Sequence, residues 1–293
     1  MATSQRSVTR IVPSIHTIEG DGMEIRRPFP TQLIDSFDPF LLLDHFGPVE
    51  VAPGEAKGTL PHPHRGFETV TYIIEGEFEH KDSAGHAGRL TPGAVQWMTA
   101  GHGIIHSEQP SASLMRYGGR LHGLQLWVNL PARDKMMPPR YQELPAERIP
   151  VASSEDGSVS VRVIAGEALG VSAVIETRTP IMYLHFTLQP GARHTQPVPP
   201  AYNAFAYVIG GEGHFGSDEA TGKEGEALFF GAGDEVTLSV PEGASAPLSV
   251  LLLAGVPLKE RIYRYGPFVM NTQEQLLQAF RDYEAGHFDV IPS

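Results

Sequence analysis

Apolar residues along this chain come in short runs, at residues 70–74, 94–98, 124–128, 183–188, 204–209 and 248–253, with glycine and proline between them. Each run is five or six residues long. Many short strands with turn residues between them predict an all-β barrel or sandwich architecture. One helix is expected, near the C-terminus. Thr272-Gln273-Glu274-Gln275 has the form of a capping box, and Leu276, Phe280 and Tyr283 then share one face before Gly286.

The pattern also divides the chain. Residues 132–150 are charged and rich in proline, with neither a 2.0 nor a 3.6 period, and read as a linker between an N-terminal barrel over 1–131 and a C-terminal one over 151–293. The halves echo each other. Tyr72-Ile73-Ile74-Glu75-Gly76-Glu77 returns 135 residues later as Tyr207-Val208-Ile209-Gly210-Gly211-Glu212, and Pro92-Gly93-Ala94-Val95 returns 132 residues later as Glu224-Gly225-Glu226-Ala227.

Two pairs of side chains, one His-x-His and one His-x-Glu, give the first barrel its candidate chemistry. His62 and His64 are two apart at the head of a strand-like run, so both imidazoles point the same way. His106 and Glu108 repeat the spacing some forty residues on. Two strands presenting two inward ligands each would close around one metal ion, so His62, His64, His106 and Glu108 are candidate ligands. Glu68 competes for the fourth place, because it shares parity with His62 and His64. His102 lies before Gly103, where a loop or supporting role is as consistent as none. The ten histidines outside 62, 64 and 106, among them His16, His45, His80, His86, His122 and His287, otherwise read as ordinary surface or core residues.

The second barrel reads as a copy that has lost its metal. An offset of 135 puts Pro197 and Pro199 in the places of His62 and His64, and an offset of 132 puts Leu238 and Val240 in those of His106 and Glu108.

Composition narrows the chemistry. With no cysteine, any metal must be held by nitrogen and oxygen, a donor set that suits Fe, Mn, Co, Ni, Cu or Zn. Three imidazoles and one carboxylate leave positions open on a six-coordinate ion, which favours catalysis or ligand sensing over a structural role. A net charge of -12 without a cluster of lysines and arginines argues against direct nucleic-acid binding. The first residues lead into no apolar signal-peptide region, and the longest apolar run, 248–258, is too short and too broken to span a membrane, so a cytoplasmic protein without membrane contact is expected.

Asp38 to Pro48, the stretch from His62 to Thr69, Thr99 to Glu108, Leu124 to Pro131 and the tail from Tyr263 to Asn271 together closely resemble the pirin family of the cupin superfamily. The resemblance covers nearly the whole chain. It implies a bicupin of two face-to-face β-barrels, the N-terminal one holding iron and the C-terminal one degenerate. It also implies His62, His64, His106 and Glu108 as the ligands of one divalent ion, Fe(II), with Glu68 behind them. His102 stands where arginine or a small residue is often found in the family. Several pirins are similar to quercetinases, which open a flavonol ring with dioxygen and release carbon monoxide, and this implies a flavonol-like substrate, O2 as co-substrate and Glu108, with Glu68 as the alternative, as general base. The competing class is regulatory: other pirins look like iron-dependent transcriptional co-regulators or modulators of a metabolic enzyme, acting on a protein partner.

Overall fold

The computed structural model describes residues 3–288. Among them the chain is mostly β, with two short α-helices, Ala112–Tyr117 and Gln273–Glu284. Among the described residues no helix is long and apolar enough to cross a membrane. Contacts divide the chain into two compact units whose segments interleave. One contains His16–Pro30, Phe40–Glu147 and the chain from Leu258 onward; the other contains the chain up to Ile15, Thr31–Pro39 and Arg148–Pro257.

The first unit has a seven-stranded sheet and a four-stranded sheet. At the middle of the larger sheet, Phe67–Glu75 lies between Val95–Thr99 and Gly119–Asn129, and Gly119–Asn129 also pairs with Phe40–Val51. Phe67 to Ile73 are buried at every position, so this strand reads as a continuous run rather than an alternation. The smaller sheet is ordered Thr59–His64, Ile104–Pro110, Phe78–Asp82, Ala87–Leu90. Pro61 and Pro63 cannot donate to a ladder, and their strand lies at the edge, where proline is tolerated.

The second unit repeats this plan, again with sheets of seven and four strands. Its core is aliphatic: Val159, Val161 and Val163 on one strand and Leu248, Val250 and Leu252 on another point into a single buried cluster with Phe186 and Leu238. The chain's first strand, Val8–Pro13, belongs to this unit and pairs with Glu226–Phe230. Buried Arg6 ties it down by donating to the carbonyls of Pro199, Tyr202, Gly231 and Gly233.

The segment 132–150 carries an ordered edge strand, Arg140–Leu144, paired with Val95–Thr99. Pro138, Pro139 and Pro145 bracket that strand rather than interrupt it, which the lack of a clear period concealed. The C-terminal helix has the expected capping box, with Thr272 and Gln275 bonding each other's backbone. Ala112–Tyr117, at six residues, is too short to show a period in the sequence; Ser111 caps it.

The ladders correct the register of the repeat. Arg193–Pro197 pairs with Glu235–Ser239 so that His194 faces Leu238 and Gln196 faces Val236. Thr59–His64 pairs with Ile104–Pro110 so that His62 faces His106 and His64 faces Ile104. The offset is therefore 132 on both strands, and His194 and Gln196, not Pro197 and Pro199, occupy the places of His62 and His64. The offset becomes 135 only at the next strand, where Tyr207 faces Ala227 as Tyr72 faces Val95. Three extra residues before Asn203 account for the change.

Candidate metal centre

His62 and His64 come from an edge strand and His106 from its neighbour, with His106 opposite His62. Residues opposite each other in an antiparallel pair project to the same face, so the ladder brings the three rings together. The Nε2 atoms of His62 and His64 are 2.9 Å apart, as are those of His62 and His106. Among the described residues these three histidines are the one group of three or more metal-ligating side chains with donor atoms within 4.8 Å of one another. His64 and His106 are buried and His62 is half-buried.

The hydrogen-bond chemistry of this cluster fits a cation. His62 Nδ1 donates to the Leu60 carbonyl at 2.7 Å, which leaves a single lone pair on its Nε2 facing two other ring nitrogens. A cation accepting one lone pair from each ring satisfies all three. Two nitrogens at right angles around an ion, each about 2.05 Å from it, stand about 2.9 Å apart, the separation seen here. Burial pulls the pKa of His64 well below the ordinary value, with His62 adding to the shift and the Pro267 carbonyl opposing it. Burial likewise lowers His106, helped by His62, His64 and His80. Both rings are therefore neutral, the form in which imidazole binds metals.

Glu108 lies two residues beyond His106, after a register irregularity against the edge strand. Such bulges re-aim side chains next to functional sites. Its carboxylate lines the same cavity as His62 and His64, but stands outside the three-histidine group, held by Thr71 Oγ1 at 2.7 Å and Gln125 Nε2 at 2.8 Å. Gln125 is oriented in turn by Trp127 Nε1, 3.3 Å from its Oε1. Glu68 is fully buried, accepts from Thr99 Oγ1 at 2.6 Å and does not line the cavity. His102 is exposed on a turn away from the cavity; its carbonyl accepts from Arg65 Nε. Other histidines pair elsewhere: His45 with His122, their Nε2 atoms 2.8 Å apart, and His86 with Asp82.

The cavity measures about 470 Å³, within the range of small-molecule sites. Met23, Ile25, Leu42, Phe46 and Phe78 form its apolar wall, and Arg264 and Pro267 from the C-terminal tail line it too. Arg27 grips Asp44 bidentately at 2.6 Å per contact and also reaches Glu19. Burial pushes Asp44 up to about 6 against the pull of Arg27. Sequence reading missed Thr71, Gln125 and Trp127. The available signal was a polar residue, Gln125, inside an apolar strand and at the same parity as Trp127.

Residues 22–128 match the family model described as Pirin, and residues 183–289 match the one described as the Pirin C-terminal cupin domain. The chain is 48% identical over 269 residues to a pirin-like protein of Solanum lycopersicum, covering 92% of this chain and 88% of that protein. The chain belongs to the pirin family. As a pirin it is a protein of two cupin domains. It is 44% identical over 283 residues to the pirin of Homo sapiens, with 96% and 93% of the two chains covered. Among solved structures, a quercetin 2,3-dioxygenase from Acinetobacter baumannii matches this pirin with a TM-score of 0.90 and 35% identity, over 97% of this chain and 99% of that one.

Proposed function

We propose that the N-terminal cupin domain holds one divalent metal ion, Fe(II) in the working protein, and opens the central ring of a flavonol with O2, releasing carbon monoxide. The observation that carries this reading is the convergence of three imidazoles, two of them lining a cavity that also presents a hydrogen-bonded carboxylate. Similarity to the Acinetobacter dioxygenase over nearly the whole chain supports it.

His62, His64 and His106 hold the ion, with Glu108 as the fourth ligand or as the base beside it. When bound, the metal acts as a Lewis acid toward an oxygen of the substrate and gives O2 a redox partner. The chain's own residues do the rest. The apolar wall of Phe46, Phe78 and Leu42 receives the flat flavonol and keeps water from it. Glu108 accepts the proton of the flavonol 3-hydroxyl at a carboxylate oxygen. Thr71 and Gln125 aim that carboxylate, so it does not swing away when the proton arrives.

The test is flavonol-dependent oxygen uptake with carbon monoxide detection, using iron-reconstituted protein and His62→Ala beside it. Saturable uptake with one carbon monoxide per O2, abolished in the variant, is the expected result. No uptake by protein shown to contain iron would overturn the enzyme reading. It would leave the same imidazoles as a redox-sensing centre whose output is contact with another protein.

A further inference from the structure

The C-terminal domain contains a second cavity, of about 930 Å³. It is lined by His194 and Gln196, the residues at the register positions of His62 and His64. With Leu238 opposite His194, the position of His106 offers no ligand atom. One imidazole facing a leucine cannot hold a metal ion, so this site is not a weak version of the first.

The cavity is nevertheless built. One wall is the loop from Pro199 to Tyr202, clamped by the buried Arg6 guanidinium, which donates to Pro199 and Tyr202 carbonyls at 2.9 Å each. The small hairpin of Glu167–Ala168 and Val171–Ser172 lines the cavity too. Gln196 Nε2 fastens it by donating to the Glu167 carbonyl at 3.0 Å, and Ala173 N closes its base on the Gly166 carbonyl at 2.8 Å. Both walls are held by buried polar groups before any ligand arrives, which lowers the ordering cost of binding.

The lining chemistry specifies the ligand. Met182, Val198, Tyr202 and Ala168 give the cavity an apolar body. Its charged lining residues, Glu167 and Asp234, are both acidic, and no lysine or arginine is among the described residues that line it, so an anion finds no cationic partner there. Gln196 spends its amide N–H on backbone carbonyls, which leaves its Oε1 facing His194 Nε2 at 3.4 Å. That contact places the His194 proton on Nε2 and leaves Nδ1 as an acceptor. The ring is backed by Phe186, 5.0 Å away, and burial lowers its pKa, so the acceptor is present at neutral pH.

From these features we infer that the C-terminal cupin domain is a metal-independent binding site for a small, neutral, phenol-like molecule, its ring among Met182, Val198 and Tyr202 and its hydroxyl donated to His194 Nδ1. The site is independent of the chemistry proposed for the first domain.

The test uses the full chain, metal-free and metal-loaded, and fluorine NMR of three probes: 4-fluorophenol, fluorobenzene and 4-fluorobenzoate. 4-Fluorophenol, neutral at pH 7 as a phenol of pKa about 10, binds saturably and equally with and without metal. Fluorobenzene binds roughly five- to tenfold more weakly, the worth of one neutral hydrogen bond, and 4-fluorobenzoate shows no binding. His194→Leu brings 4-fluorophenol down to the affinity of fluorobenzene. Ser172→Trp, on the exposed rim and away from the core, blocks both probes while circular dichroism stays unchanged. The inference is overturned if 4-fluorophenol fails to saturate, if phenol and benzene bind alike, if binding requires the metal, or if neither variant weakens it.

Discussion

Lys135 is the deepest cation of the metal-binding unit, 1% exposed, and its Nζ donates to the carbonyls of Gly66 and Val269 and to Asn129 Oδ1. Burial lowers its pKa from 10.5 to about 7, with Glu260 opposing the shift. A lowered ammonium pKa means that between 7 and 10.5 the unfolded chain carries a proton that the folded chain lacks, so stability rises with pH across that window. The rise is up to about 1.4 kcal/mol per pH unit, hence about 3 kcal/mol between pH 7 and 9.5. Lys135→Met removes the titrating group and the amine that bonds these buried acceptors, two of which the neutral form satisfies with its two N–H groups, a cost of about 3 kcal/mol. The variant is therefore expected to be less stable than wild type by about 3 kcal/mol at pH 9.5 and to fall within about 1 kcal/mol of it at pH 7. Urea unfolding followed by tryptophan fluorescence reads this directly, since Trp97 and Trp127, the chain's two tryptophans, both lie in this unit. A stability difference that is constant with pH, or that grows toward pH 7, would refute the assignment of a desolvated lysine.

Two further outcomes are expected. Gly66 has φ +88° and a Cβ there would meet the Val269 carbonyl oxygen at 2.0 Å, so Gly66→Ala must push the tail strand off the turn that follows His64; it should cost at least about 2 kcal/mol and lower metal stoichiometry, measured by urea midpoint and elemental analysis, and unchanged values in both would contradict the packing. Asp282 is held below its ordinary 3.8 by the hydrogen bond from Arg65, 2.7 Å away. A depressed carboxylate stabilises above its unfolded pKa and loses that contribution on acidification, so wild type should exceed Asp282→Asn in stability at pH 6 and the two should converge well below pH 3.8; parallel curves down to low pH would refute the pairing.

Much of this architecture is written in local pattern. Runs of β-branched and aromatic residues between glycines and prolines predict strands because a period of two and a turn are decided within a few residues, and the capping box of the last helix is decided within four. The His-x-His spacing places His62 and His64 on one face for the same reason. Their meeting with His106 is legible only as an expectation, since it depends on two strands pairing in one register. Where register had to be carried across a distance, pattern alone erred: the 135-residue offset pointed at Pro197 and Pro199, whereas three extra residues in the loop before Asn203 mean that the ligand positions correspond to His194 and Gln196. Lys135 shows the same limit, looking like a solvated charge among prolines until Asn129, Gly66 and Val269 close around it. Thr71 and Gln125, 54 residues apart in sequence, become the two hands on Glu108 only when their strands lie side by side. Which segments are strands and which side chains share a face can be read from the chain alone, because those depend on neighbours in sequence. Tertiary structure decided which faces meet, which charges are stripped of water and which polar groups find partners, because burial and hydrogen bonding are set by residues far apart in the sequence.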